Sequence, residues 1–330
     1  MTIFPTKKVI EVKDLHVHFY TYAGVVKAIS GVSFEIYEGE TFCLVGETGC
    51  GKSVTSRALT RLIESPGRIV KGRIIFYRDS GPVDIMTLSE EELREIRGRE
   101  IAYIFQDPTA ALDPLYTVGY QIAETMVAHR TADWKEAFRK AINILKSVIM
   151  PDPERRVKNY PHELSGGMRQ RVVIGVSLSN RPKLLIADEP TTNLDVTIQA
   201  QILDLLRKLK KNEQMTLLLI THNMGVVAEM CTRVAVMYAG KIVELGPVID
   251  VFKDPRHPYT RGLLRAVPNP LGKVERLESI PGTVPNLIYP PPGCRFHPRC
   301  PYMMEVCKSK EPPMVDLGEG RKVACWLYVK

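Results

Sequence analysis

Residues 41–59 read TFCLVGETGCGKSVTSRAL: a short apolar run, a glycine loop, then a helix-compatible segment. The loop GETGCGKS at 46–53 fits the G-x-x-x-x-G-K-S phosphate loop, and strand, loop and helix in that order are the context this motif requires. Gly46, Gly49 and Gly51 let the backbone wrap closely around phosphate oxygens. Lys52 can reach the β- and γ-phosphates, and Ser53 can give its hydroxyl to Mg²⁺. Glu47, Thr48 and Cys50 inside the loop, and Val54 at its exit, complete the ATP-binding stretch.

A partner motif lies downstream. KLLIADEP at 183–190 is an apolar strand that ends in two carboxylates. Asp188 is placed to hold Mg²⁺, directly or through water. Glu189, one residue on, is placed to polarise a water for attack on the γ-phosphate. Phosphate loop and acidic strand end together point to nucleotide hydrolysis.

Around these motifs the chain alternates. VIEVKDLHVHFY, VVKAISGVSFEIY and GRIIFYR are rich in β-branched and aromatic residues and read as strands. SEEELREIRG reads as a short helix opened by a capping box from Ser89 to Glu92. IAYIFQDP reads as a buried strand ending at Gln106, with Pro108 stopping it. From about 115 to 178 the pattern is helical: Trp134, Phe138, Ile142 and Leu145 recur at helical spacing after a second capping box, Asp133 with Glu136. Strands return as KLLIA, TLLLIT, RVAVMY and KIVELG, with helix-like TIQAQILDLLRKLKKN between the first two. Such alternation implies a mostly parallel α/β sheet. IPGTVPNLIYPPPG at 280–293 reads as an extended linker.

At 330 residues the chain can bury a substantial core. No apolar run approaches bilayer length, and the N-terminus lacks a secretory pattern, so a cytosolic location is expected. The net charge of +8 is scattered rather than clustered, which argues for an ordinary mixed-charge surface over a nucleic-acid stripe. In a cytosolic setting the seven cysteines are not expected to form disulfides. Cys43 and Cys231, in apolar strand-like surroundings, read as core residues. Cys50, beside a helix N-terminus, reads as a thiol whose modification would affect ATP binding.

LSGGMRQR at 164–171 poses a further question, because it too is a glycine turn opening a helix, where backbone N–H groups and the dipole meet an anion. The helical insert carries this turn away from the first loop. Two chains facing head to tail resolve it: the second turn of one caps the γ-phosphate held by the first loop of the other.

The order GETGCGKS, Gln106, LSGGMRQR, LLIADEP, TNLD and ITHN resembles the ATP-binding subunit of ATP-binding-cassette (ABC) transporters, over residues from about 9 to 266. The resemblance implies a P-loop NTPase (RecA-like) α/β core with an antiparallel β-subdomain, a helical subdomain at about 107–178 and a cysteine-rich extension. The nucleotide-binding domain would cover 1–245 and the extension 246–330. It implies Gln106 near Mg²⁺ and the attacking water, Glu189 as general base, and His222 on the γ-phosphate, holding that water. It also implies that Ser165, Gly166 and Gly167 contact the γ-phosphate bound by the other subunit, and that Asp195 couples the two sites. An aromatic residue before the loop would stack on adenine; Phe19 has the best spacing, with Tyr20 and Tyr22 as competitors. Met168, Asn193 and Asn223 depart from the commonest family residues, and none of these departures removes a group needed for hydrolysis.

LSGGMRQRVVIGVSL and DPRHPYTRGLLRAVP at 254–268 are similar to the dipeptide and oligopeptide importers. That branch implies a second ATP-binding subunit, two transmembrane permease subunits and an extracellular substrate-binding protein. The chain would lie on the cytoplasmic face of the membrane as a peripheral subunit. A soluble ABC ATPase acting on nucleic acid or ribosomes is the alternative, and the chain lacks the second cassette or long coiled-coil insertion typical of those proteins.

Four of the seven cysteines, Cys294, Cys300, Cys307 and Cys325, crowd the last 40 residues, where little apolar material exists for a core. The C-x₂₋₄-C pairs usual for zinc are missing, so a [4Fe–4S] cluster ranks first, Zn²⁺ second and unligated thiols third. The resemblance to peptide importers points the same way.

Overall fold

The computed structural model describes residues 7–192, 194–213, 215–267 and 280–329. Asn193, and residues 268–279 of the expected extension, lie outside the described residues. Two compact units are present: Thr87–Leu218 is one, and the described parts of Thr6–Met86 and Leu219–Lys330 form the other.

The second of these begins with β1 (Lys8–Thr21) and β2 (Gly24–Tyr37), a hairpin that turns where Thr21 faces Gly24. Along β1 residues 9–12 are buried without a break, and Leu15 and Val17 then alternate with less buried neighbours. β3 (Thr41–Val45) is buried along its whole length and feeds the phosphate loop and α1 (Lys52–Ala58). β4 (Gly67–Arg78) and β5 (Gly81–Asp84) complete an antiparallel sheet in the order β2-β1-β4-β5.

In the unit Thr87–Leu218, α2 (Glu90–Ile96) carries the expected capping box: Ser89 Oγ accepts from the Glu92 amide, and the Glu92 carboxylate accepts from the Ser89 amide. β6 (Ile101–Ile104) stops two residues before Gln106. Pro108 does not merely end it; it opens α3 (Pro108–Ala111), where a missing N–H costs nothing in the first turn and Asp107 caps from outside. Three helices follow: α4 (Val118–Ala128), α5 (Trp134–Ser147) and the single-turn α6 (Pro153–Arg156). α5 buries Ala137, Ala141 and Leu145, whereas Trp134 and Phe138 stay exposed and extend a ring stack through Tyr120 to Tyr116. Asp133 caps α5 through the Glu136 amide. α7 (Gly166–Leu178), β7 (Leu184–Asp188) and α8 (Val196–Glu213) follow, with β7 parallel to β6, and the unit ends within β8 (Thr216–Thr221).

The other unit resumes with α9 (Met224–Met230), β9 (Arg233–Tyr238) and β10 (Lys241–Pro247), then α10 (Val248–Lys253) and α11 (Pro258–Arg265). It closes with α12 (Glu305–Ser309), β11 (Met314–Gly318) and β12 (Arg321–Ala324). β9 runs parallel to β3, but β10, β12 and β11 join antiparallel, so the sheet is more mixed than the alternation alone implies. Cys43 and Cys231 are joined as a disulfide, which corrects the expectation of two separate core thiols. The Thr232 amide and hydroxyl both donate to Thr41 O, and this lays residue 231 alongside β3.

Candidate functional site

In the phosphate loop, Gly46, Gly49 and Gly51 all take positive φ, at 153°, 82° and 103°. They do so for different reasons. A Cβ on Gly46 would overlap Met237 O, and one on Gly51 would lie 2.6 Å from Ile29 Cδ1, whereas Gly49 faces open space. Lys52 is buried and its ammonium donates to Gly46 O at 2.8 Å and Glu47 O at 3.1 Å, which folds the lysine over the loop. Thr48 is exposed, and Ser53 and Val54 are half-buried on the first turn of α1. Cys50 departs from expectation: burial pushes its thiol pKa up, outweighing the Lys52 charge nearby, so the thiolate is disfavoured.

The acidic strand end lies in the other unit. Asp188 is 2% exposed and accepts a 2.8 Å hydrogen bond from the Tyr103 hydroxyl. Glu189 follows with φ at 46°, a conformation that costs an L-residue energy and persists only where surroundings enforce it. They do: Gln106 Nε2 donates to Glu189 Oε2 at 3.1 Å, and Thr192 Oγ1 donates to the same oxygen at 2.9 Å. Gln106 and Glu189, 83 residues apart, thus form one polar pair beside a buried carboxylate.

In the same unit, Ser165 caps α7, its Oγ accepting from the Met168 amide, and it stays exposed. Gly167 is needed for close packing, since a Cβ there would lie 2.8 Å from Ile198 Cγ2 on α8, while Gly166 has room. Asp195 is exposed and caps the first turn of α8, accepting from the Ile198 amide at 2.9 Å. Ser165 and Asp195 therefore both present side chains at helix N-termini.

The family model for ABC transporters matches residues 29–192, and that for the oligopeptide/dipeptide transporter C-terminal region matches 243–307. The dipeptide transport ATP-binding protein DppD of Bacillus subtilis is 48% identical over 97% of this chain and 95% of its own. The oligopeptide transport ATP-binding protein OppD of the same organism is 49% identical over 97% of this chain and 89% of its own. This chain belongs to the ABC-transporter ATP-binding proteins, in the peptide-transport branch. Among solved structures, the dimeric ATP-binding cassette MJ0796 bound to ADP and Pi superposes with a TM-score of 0.64 at 26% identity, covering 72% of this chain and 98% of that one. The chain is accordingly an ATPase subunit with the ABC cassette fold. Its relatives are transport proteins, and nothing favours the nucleic-acid alternative.

Other expected ABC residues lie where their elements put them. His222 is exposed just after β8; Asn223, not His222, caps α9, accepting from the Gly225 and Val226 amides. Phe19 is half-buried with its ring against Gly67; Tyr20 lies under the Arg68 guanidinium, and Tyr22 is fully exposed. Among the described residues no helix is long and apolar enough to cross a membrane.

In the extension, Cys294 interacts electrostatically with Cys300, Cys307 and Cys325, and the amides of Phe296, Tyr302 and Leu327 hydrogen-bond to Cys294, Cys300 and Cys325. Burial pushes the Cys294 thiol up to about 11 and raises Cys300 and Cys325 as well. Among the described residues no group of three or more His, Cys, Asp or Glu side chains is arranged to hold a single metal ion.

Two groups escaped the sequence reading. Tyr103 holds Asp188 from 85 residues away, and Arg299 grips Glu47 from 252 away. No local pattern signals either.

Proposed function

We propose that this subunit powers import of dipeptides or oligopeptides. It would act with a second ATP-binding subunit on two membrane permease subunits fed by an extracellular binding protein, from the cytoplasmic face of the membrane. The Gln106–Glu189 hydrogen bond next to buried Asp188 carries the catalytic part of this reading, because it orients a carboxylate beside the proposed Mg²⁺ ligand. The names of the relatives support the substrate class. Residues 1–245 would form the nucleotide-binding domain, with the helical subdomain at about 107–178, and 246–330 the extension.

In this reading the loop 46–54, through backbone amides other than that of Glu47, and the Lys52 ammonium hold the β- and γ-phosphates, and the Phe19 ring stacks on adenine. Ser53, Gln106 and Asp188 would hold Mg²⁺, which supplies charge neutralisation between the phosphates. Glu189 accepts a proton from the water that attacks γ-phosphorus; the bond to the bridging oxygen breaks, and ADP leaves with that electron pair. His222 contacts the γ-phosphate and holds the water. Ser165, Gly166 and Gly167 close on the triphosphate bound by the other subunit, and Asp195 couples the two sites. Cys294, Cys300, Cys307 and Cys325 would ligate a [4Fe–4S] cluster, with Zn²⁺ as the second choice. The cluster would supply cross-linking for an extension with little core of its own.

Ser165→Arg tests the paired arrangement. In proteoliposomes carrying the permeases, both ATPase subunits and the binding protein, it should abolish ATP-driven uptake of a labelled dipeptide while the isolated chain still binds ATP. Uptake at the unaltered rate would overturn the shared-site reading. Absence of uptake of every labelled dipeptide and oligopeptide tried with the unaltered assembly would overturn the substrate class.

A further inference from the structure

The extension reaches the phosphate loop at Glu47, a residue the hydrolysis scheme uses only for its place in the loop. The Glu47 amide donates to Tyr259 Oη at 2.9 Å, so it points away from the phosphate cradle. The Glu47 carbonyl accepts from Lys52 Nζ at 3.1 Å. The Glu47 carboxylate takes a two-pronged grip from Arg299: Nη1 to Oε2 at 2.8 Å and Nη2 to Oε1 at 3.0 Å. All three polar faces of this residue are thus anchored.

Both anchors are themselves fixed. Tyr259 is wholly buried, packs against Tyr238 and Phe296, and sits on α11, whose cap His257 accepts the Tyr259 amide. The Arg299 side chain is only 5% exposed, and its remaining donors go to Pro281 O, Ile280 O and the Tyr238 hydroxyl. A second arginine holds the far end of the loop. Arg295 donates to Ala239 O and Ser30 Oγ, and the next amide, Gly240 N, donates to Cys50 O at 2.8 Å. Arg295 follows Cys294 and Arg299 precedes Cys300, so both arginines spring from the cysteine segment.

A carboxylate one residue into a triphosphate cradle repels the ligand unless its charge is cancelled, and repulsion at this range is strong where water is partly excluded. Arg299 cancels it. We infer that Arg299 and Tyr259 are positioning residues for ATP: through Glu47 they fix the phosphate loop in its binding shape and neutralise the one acidic side chain inside it. The inference rests on reading that loop as the nucleotide site. The extension is then a working part of nucleotide binding.

Binding of a non-hydrolysable ATP analogue to the full-length chain tests this. Arg299→Gln should weaken binding about tenfold or more, since it leaves a partly buried carboxylate unpaired. Adding Glu47→Gln to Arg299→Gln should restore much of the lost affinity, because the repelling charge is gone. A purely structural arginine would give no such rescue. Raising ionic strength should shrink the Arg299→Gln defect. Should Arg299→Gln not fold, Tyr259→Phe keeps the ring and removes the acceptor; it should speed hydrogen exchange at the Glu47 amide and weaken binding several-fold. The inference is overturned if Arg299→Gln, or in its place Tyr259→Phe, binds like the unaltered chain. It is equally overturned if the double variant is as weak as Arg299→Gln. Lys52→Ala, run alongside, separates the two levels: unimpaired binding there would instead overturn the loop as the nucleotide site.

Discussion

The side-chain amide of Gln106 donates to Oε2 of Glu189 across 3.1 Å, and the Thr192 hydroxyl donates to the same oxygen at 2.9 Å. Two donors on one oxygen, with a left-handed backbone beneath, fix the direction in which the carboxylate presents itself. Gln106 is therefore tied to the proposed base as well as being a candidate Mg²⁺ ligand. Positional control of this kind is what a general base requires before its basicity matters.

Glu189→Gln keeps the shape and removes the proton acceptor. Phosphate release should fall by about 10²–10⁴-fold, the usual worth of a general base. Analogue binding should stay intact, because the phosphates are held elsewhere. Unaltered phosphate release would remove Glu189 from the role.

Gly46 and Gly49 differ in what forbids a side chain. Gly49→Ala meets no neighbour and should cost only the left-handed backbone penalty, about 1–2 kcal/mol. Gly46→Ala combines positive φ with overlap of a backbone carbonyl that cannot swing aside. Thermal unfolding should therefore show a clearly larger drop in Tm for Gly46→Ala, with loss of analogue binding. Equal drops would mean that the loop relaxes away from Met237.

Much of the proposed site can be read from the sequence because phosphate chemistry needs fixed residue types at fixed short spacing. GETGCGKS, Asp188 with Glu189, and Ser165 before two glycines are read from neighbours in the chain. The Ser89–Glu92 capping box was legible for the same reason. What escaped is long-range. Arg299 on Glu47, Tyr103 on Asp188 and the Cys43–Cys231 bond join residues 252, 85 and 188 positions apart, and no periodicity encodes them. Helical spacing placed Trp134 and Phe138 on one stripe, but spacing gives a stripe and not its neighbour. The small Ala137 and Ala141 face the interior, and the large rings lie outside.

The cysteine segment carries a spectroscopic prediction. Protein purified without oxygen should be brown, with broad absorption toward the visible edge, and Cys300→Ser should lose that colour. A colourless, zinc-loaded protein would replace the cluster with the second choice.

His257 gives a pH signature. The ring is wholly buried, and burial, aided by the Arg261 charge, pushes its pKa down to about 3. The neutral ring caps α11 by accepting the Tyr259 amide. The unfolded chain protonates near pH 6.5, well before the folded one, so this contribution is complete above pH 6.5 and is lost as pH falls toward 3. Between pH 6.5 and 5 urea unfolding should register a loss of about 2 kcal/mol from this group. Glu244, whose carboxyl is raised by burial, acts with the opposite sign above its ordinary value, so the comparison must be made against a variant. His257→Asn can still cap the helix through its side-chain oxygen but cannot titrate. Its stability should fall less over that interval, by the His257 share. An equal fall in both proteins would show that His257 is not the group responsible.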